Sequence, residues 1–308
     1  MLMVEKEWDV LGIGNAAVDE LIYLDRFPQP DMKMAVRDVQ RQGGGLVATA
    51  LVAAARQGAR AAFCSLIGSD ELSAFTLDEL ANENVDCTPC IHTQEGVPYH
   101  AWILVDVAEH TRTILYQHGK VEPPLESITD ALISRCKVLF IDHHVPSAGL
   151  KAARIARRLG IPVVADFEVD GIPGLEDLLA NIDHLVLGSA YARRLTSKHD
   201  LADVVRSLSN SERASCVITA GDQGCWFSEY GGEIKHFPAY RVQVADTTGC
   251  GDVFHGVYAV AIAQGKTVTQ AIEVASAAAA IKAGYPGGRT GIPRREQVEH
   301  FLLEQHGK

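Results

Sequence analysis

The stretch KVLFIDHHVPSAGLKAARIARRLGIPVVAD, residues 137–166, decides the architecture. KVLFID reads as a strand apolar on both faces. GLKAARIARRLG carries apolar positions at helical spacing and ends on glycine, and IPVVAD is a second buried strand. HLVLG (184–188) and SCVITAG (215–221) continue the pattern. Upstream, DVLGIG (9–14) and RAAFCSLIG (60–68) read as further strands, with helices over LVATALVAAARQG (46–58) and ELSAFTLDELANEN (71–84). This alternation predicts an α/β fold: a mostly parallel sheet covered by helices on both faces.

Four segments do not fit a parallel core. DELIYLDRF (19–27), KMAVRDVQRQ (33–42), HAWILVDV (100–107) and RTILYQHG (112–119) alternate polar and apolar residues. They predict a small separate sheet, made by excursions over about 19–42 and 99–119 from a single domain spanning 1–308. Its place in the chain suggests a lid over the strand ends, where open α/β sheets bind ligands. Alternation puts Lys33 and Arg37 on one face of a lid strand. Ile22, Trp102 and Ile103 are expected on an exposed apolar face, which predicts packing across a homodimer.

Composition narrows the function. A net charge of −11 over 308 residues argues against a nucleic-acid surface. No apolar run approaches the roughly 20 residues that span a bilayer, so no membrane partner is expected. The N-terminal segment carries acids and a lysine before its first strand, unlike a signal peptide. Seven cysteines at irregular spacing suggest reduced thiols and a cytoplasmic protein. Cys87-Thr-Pro-Cys90 matches C-x-x-C, but without a second pair it reads as small apolar residues in a strand. Gly12-x-Gly14-x-x-Ala17 imitates a dinucleotide fingerprint, yet the next segment alternates like a strand instead of opening a helix.

DTTGCGDVFHG (246–256) carries the chemistry. Gly249 and Gly251 let backbone approach a phosphate, and the helix that follows aims free N–H groups at it. Asp252 then has two readings: a cap for that helix, or a group acting on a ligand bound there. Cys250 also has two. A helix N-terminus lowers a thiol pKa, whereas neighbouring Asp246 and Asp252 keep it neutral. VITAGDQGCWF (217–227) adds a second glycine turn, where Thr219 and the Gly221 amide can meet phosphate oxygens. IKAGYPGGRTGIP (281–293) is a third. Near the start, Asn15, Asp19 and Gly43–Gly45 put polar groups and a hinge beside the lid, with Asp19 suited to sugar hydroxyls.

Together these features resemble the ribokinase-like, PfkB-type family of sugar and nucleoside kinases across nearly the whole chain. The resemblance rests on Asn15 and Asp19, the glycine hinge and its helix, the T-x-G-x-x-G loop (Thr219, Gly221, Gly224) and the signature Asp246–Asp252. GGGLVATALVAAARQGA, DTTGCGDVFHG and PGGRTGIP look most like its sulfofructose kinase branch. The resemblance implies an ATP-dependent sugar kinase using Mg²⁺, with Asp252 as general base and the Gly249, Cys250 and Gly251 amides as an anion hole. A carboxylate can serve without a strongly raised pKa if the proton leaves late in a loose transition state. It further implies ATP contacts from Thr219, Gly221, Gly224, Ser276 and Gly287. Substrate contacts would come from Asn15, Asp19, Lys33, Gly43, Gly44, Thr49 and His144, and a K⁺ site from Asp246 and Thr248.

The chain departs from the family pattern at several positions. Ala48 stands where relatives carry a sugar-binding Asn. Gly188 and Tyr191 replace the N-x-x-E that organises Mg²⁺, leaving ATP and water, or Asp166 or Glu168, to hold it. His144 falls where the sulfofructose branch has an arginine, and Gly291 lacks a side chain that some members offer K⁺. Two other readings stay open: a nucleoside kinase, with Trp102 and Tyr116 stacking on a base, and a non-catalytic sugar or nucleotide binder.

Overall fold

The computed structural model describes residues 6–109 and 111–307. The reading of the N-terminal segment falls partly on positions 1–5, outside the described residues. In chain order the strands are β1 (Trp8–Ile13), β2 (Ala17–Leu24), β3 (Asp38–Gly44), β4 (Ala61–Cys64), β5 (Leu66–Ile67), β6 (Val85–Asp86), β7 (Ile91–His92), β8 (Tyr99–Asp106), β9 (Thr111–Gln117), β10 (Cys136–Asp142), β11 (Val163–Asp166), β12 (His184–Gly188), β13 (Ser215–Thr219), β14 (Cys225–Glu229) and β15 (Lys235–Phe237). The helices are α1 (Leu46–Arg56), α2 (Glu71–Asn82), α3 (Asp130–Ile133), α4 (Pro146–Arg158), α5 (Leu175–Ala180), α6 (Ser189–Thr196), α7 (Leu201–Leu208), α8 (Cys250–Ala263), α9 (Val268–Ala283) and α10 (Arg295–His306).

The main sheet has nine strands in the order β15-β14-β13-β12-β11-β10-β1-β4-β6, parallel except for β14 and β15. Its strands read as unbroken apolar runs because helices cover both faces. Alternation divides them: Val10, Val138, Phe140, Val164 and Val186 pack toward α1, α8 and α9. Leu11, Ile13, Leu139, Ile141 and Leu187 pack toward α4 on the opposite face. No helix among the described residues is long and apolar enough to cross a membrane.

The second sheet, β3-β2-β8-β9, comes from the two expected excursions. β2 pairs with β8 in parallel and with β3 antiparallel. Its third segment differs from expectation. β3 begins only at Asp38, opposite Tyr23, so Lys33 and Arg37 lie on a loop and share no strand face. The reason is local: Pro28 and Pro30 have no N–H to donate, so the ladder cannot run past the end of β2. Ile103 also moves. It is buried with Leu21 and Ala101 on the inner face, while Ile22 and Trp102 point outward. Cys87 and Cys90 sit on the turn between β6 and β7, joined by a Cys90 N–H to Cys87 carbonyl bond of 3.0 Å, and not in a strand.

α1 and α8 cross at van der Waals distance over the sheet. A Cβ on Gly256 would stand 2.0 Å from the Ala50 carbonyl oxygen, so only glycine lets the two helix backbones meet. Gly256→Ala should destabilise the protein by about 1–3 kcal/mol, the usual penalty for overpacking a close contact. Urea unfolding would check it, and an unchanged midpoint would show that the crossing has slack.

Candidate active site

The site lies along the C-terminal edge of the parallel strands. β10 ends on Asp142, β11 on Asp166, β12 on Gly188 and β13 on Thr219. Asp142 is fully buried and structural. It accepts the Asn15 amide at 2.7 Å and the His144 amide at 2.9 Å, tying the β1–β2 connection to the end of β10. Gly14 is required there, because a Cβ would come within 2.6 Å of the Asp142 carboxylate. With its backbone fixed, Asn15 keeps a buried side-chain oxygen without a partner, and His143 Nδ1 has none either. Buried polar atoms rarely stay unpaired, so both fit a bound ligand.

Asp19 projects from the inner face of the small sheet, and burial pushes its carboxyl up to about 6 against the pull of Arg289. Its neighbours explain the glycine pair. A Cβ on Gly44 would meet the Asp19 carboxylate at 2.2 Å, and one on Gly43 would meet the Arg289 guanidinium at 2.1 Å. Thr49, expected to contact substrate, accepts from Arg289 Nε at 3.2 Å, while Arg289 Nη2 donates to the Gly44 carbonyl at 2.7 Å. Arg289 is thus a buried cation joining α1, β3 and the loop after α9. The sequence reading passed over it because it stood inside a glycine-rich loop; a charged residue within PGGRTGIP was the available signal.

α8 starts from Gly249, in the left-handed region at φ 74°, where a Cβ would meet the Gly288 carbonyl at 2.6 Å. Asp252 lies in its first turn, yet no side chain caps the helix. Among the described residues the Gly249, Gly251 and Asp252 amides have no partner, whereas the Cys250 amide is spent on the Thr247 carbonyl at 3.2 Å. The free donors at this helix mouth are therefore those of Gly249, Gly251 and Asp252, while the Cys250 amide, expected among them, already has a partner. Burial and the Glu168 carboxylate push the Asp252 carboxyl well above the ordinary range, and Arg289 opposes them. That differs from the unshifted base allowed by the sequence. Asp166, also raised by burial and Glu168, lies behind it, 3.2 Å from His255 Nδ1.

The remaining positions divide by loop. Thr219 closes β13 with its hydroxyl 3.4 Å from the Leu187 carbonyl, and Gly221 and Gly224 shape the turn that follows at φ 56° and 84°. Three strand spacings, about 14 Å, separate β13 from β10, so an elongated ligand can run along this edge. Ser276 is half-buried on α9. The Gly287 amide is donated to Asp246 Oδ2 at 2.9 Å, which closes the glycine loop onto the α8 entry. His144 packs edge-on to Tyr99 at 4.6 Å, and burial lowers its pKa to about 4. It brings a neutral ring where the sulfofructose-like pattern has a fixed charge. Lys33 is exposed on its loop.

Two metal expectations can be tested against this geometry. Tyr191 is buried in α6 and Gly188, that helix's N-cap, has no side chain, so neither brings the amide or carboxylate of N-x-x-E. No cluster of three or more His, Cys, Asp or Glu among the described residues could hold a metal alone. The nearby carboxylates are Asp166 and Glu168, a set too small to hold an ion alone and suited to one that arrives with phosphates and keeps its waters. At the K⁺ position, Asp246 Oδ1 already accepts from Thr248 N (2.8 Å), Thr248 Oγ1 (2.7 Å) and Arg112 Nη1 (3.1 Å). The Asp246 carbonyl accepts from Lys282 Nζ at 3.2 Å. These bonds occupy the atoms that a cation would use.

The pfkB family carbohydrate kinase profile matches residues 10–295. A ribokinase of Haemophilus influenzae is 29% identical over 307 residues, covering 97% of this chain and 99% of that protein. A solved structure from Agrobacterium tumefaciens superposes with a TM-score of 0.91 at 27% identity, covering 97% of this chain and 98% of its own. A ribokinase structure from Thermotoga maritima gives a TM-score of 0.84 at 25% identity, covering 96% and 99%. The chain therefore belongs to the pfkB family of carbohydrate kinases, with the ribokinase-like fold, and is an ATP-dependent sugar kinase.

Cys250 yields a direct check. Burial, with Asp246 and Asp252 nearby, pushes its thiol up to about 11, against the lowering expected from the helix N-terminus. Little thiolate forms at neutral pH. Iodoacetamide should therefore alkylate the Cys250 peptide more slowly than a free thiol, as followed by mass spectrometry. Faster labelling there would restore the reactive-thiol reading.

Proposed function

We propose that this kinase moves the γ-phosphoryl group of ATP to a primary hydroxyl of a small sugar or sugar derivative, with Asp252 as the general base. The observation that carries this reading is Asp252 at the mouth of α8, capping nothing, beside the unpaired amides of Gly249 and Gly251. Asp252 takes the hydroxyl proton as the oxygen attacks phosphorus. The two glycine amides face the charge on the transferring group, where fixed donors act without reorganising. Asn15 and Asp19 hold the sugar hydroxyls, with Gly43 and Gly44 allowing close approach and the rings of His143 and His144 alongside. ATP lies along Thr219, Gly221 and Gly224 toward α8, near Ser276 and Gly287. Mg²⁺, when bound with the nucleotide near Asp166 and Glu168, would neutralise phosphate charge.

Arg289 has a place in this scheme as a positioning residue. A base must be ionised to work, so activity is present above its pKa and lost as pH falls through it. Burial, then Glu168, Asp19 and Asp142, raise that pKa, and Arg289 lowers it. Asp252→Asn should keep the fold and ATP binding but lower kcat by at least about 10²-fold. Arg289→Met should move the acidic limb of kcat/KM to higher pH, and Arg289→Lys should move it less. Near-normal turnover of the first variant would leave Asp252 without a chemical role. An unmoved limb in the second would make Arg289 purely structural.

The small sheet closes over the site and excludes water, which would otherwise compete for the phosphoryl group. Its inner face carries Asp19 and also Arg112, which reaches Asp246. Its outer face carries Val39 and Leu115, both more than half exposed, together with Ile22 and Trp102. We propose that this outer face is covered by the same face of a second copy, in the reducing cytoplasm that seven unpaired cysteines suit. Sedimentation at micromolar concentration should show a dimer, and Trp102→Glu should give a monomer. A wild-type monomer would overturn this.

A further inference from the structure

Lys282 is the most unusual side chain outside the acceptor pocket. It lies in the last turn of α9, in the run ASAAAAIKAG (275–284), and is fully buried, with 0% exposure. Its ammonium donates to two main-chain carbonyls, Asp246 and Tyr285, each at 3.2 Å. Asp246 leads into the anion loop ahead of α8, and Tyr285 opens the glycine loop that returns to it through the Gly287 amide. The Ala245 and Asp246 amides bond the Ala283 carbonyl at 2.8 and 3.2 Å, so both loops meet around this one cation.

An ammonium buried this deeply needs a reason. Desolvation disfavours its charge, and lowers the Lys282 pKa. Two carbonyl dipoles and the nearby Asp246 carboxylate oppose that cost. Such surroundings, carbonyl oxygens of two loops beside a carboxylate, are also the kind that an alkali cation binds. A second cation sharing these carbonyls would stand against the ammonium, and charge repulsion at that range is severe in a buried setting. Asp246 leaves little room besides, with three donors on Oδ1 and one on Oδ2.

We propose that Lys282 replaces the monovalent cation expected at Asp246 and Thr248: its tethered ammonium joins the two loops that shape the anion hole, and the enzyme works without K⁺. A free ion must be captured from solution and lost again; a side chain carries its charge with the fold. The consequence is a kinase whose phosphoryl site is set at any salt composition.

The inference rests on the kinase reading for its activity arm, so a second arm uses none. Wild-type kcat/KM should be equal in K⁺, Na⁺ and choline buffers. Its melting temperature should not distinguish these ions at equal ionic strength. Lys282→Ala opens space at the carbonyls. In choline it should lose at least about tenfold in kcat/KM, on the scale of losing fixed electrostatic stabilisation. K⁺ should restore most of that loss and raise the variant's melting temperature. Lys282→Met fills the same space without charge, and should be folded, impaired and not rescued by K⁺. A wild-type enzyme that K⁺ activates several-fold or stabilises selectively would overturn the proposal. So would a Met variant with full activity in choline. If the alanine variant does not fold, the wild-type ion comparison and the Met variant decide. If no sugar is phosphorylated at all, the melting arm still decides the cation question.

Discussion

The structure depends on a guarded crowding of carboxylates. Asp19, Asp142, Asp166, Glu168 and Asp252 converge on the C-terminal edge of the parallel sheet, and burial raises every one of them. Such a group of acids repels itself and resists desolvation. Arg289 is the counterweight. Its guanidinium is buried between α1, β3 and the loop after α9, and it is placed there by bonds to Thr49 and to the Gly44 carbonyl. Gly43 and Gly44 follow from it, because any side chain would displace either the guanidinium or Asp19. The glycine pair that reads as a hinge in sequence is, in three dimensions, the clearance around an ion cluster.

Placement of this cluster comes from the packing beneath it. The parallel strands end together, so their last residues share one edge. α1 and α8 then press into close contact through Gly256 and Ala50, which brings the start of α8 over the ends of β10 and β11. Asp142 joins the end of β1 to the end of β10 from below. The carboxylates thus occupy distinct places, with Asp142 tying backbone, Asp19 projecting from the small sheet beside Arg289 and Asp252 standing at the helix mouth. Their spacing is inherited from the sheet and needs no flexible loop to create it.

Much of this was legible in the sequence, for a physical reason. Strand–helix alternation, helix stops such as Gly58, and the glycine signature before Asp252 are local patterns set by neighbouring residues. Asp142, Arg289 and Lys282 were missed because their meaning lies in partners far along the chain: Asn15, Thr49 and Asp246. Side-chain type alone did not announce them. Lys33 was misplaced because a proline beyond β2, not the alternation within the segment, ended the ladder. At Cys250 both the helix terminus and the flanking acids are visible locally, but burial, the largest influence and the one that favours the neutral thiol, depends on the fold.

The anion loop illustrates how rigidity and motion are separated. Gly249 and Gly251 give the loop its shape but also conformational freedom, which would blur any arrangement of donors. That freedom is removed at its base. Asp246 takes the Thr248 amide and hydroxyl on one carboxylate oxygen and the Gly287 amide on the other, while Lys282 holds its carbonyl. All of these ties come from the main body. Arg112 alone, among the described bonds to Asp246, comes from the small sheet, and it is partly exposed. An exposed ion pair is weak, worth about 1 kcal/mol or less. Opening the sheet therefore breaks the weakest link and leaves the stronger ones intact. Under the function proposed above, a cover could open to admit substrate while the amides at the α8 entry stay in place, and preorganised donors of this kind lose nothing to reassembly at each turnover.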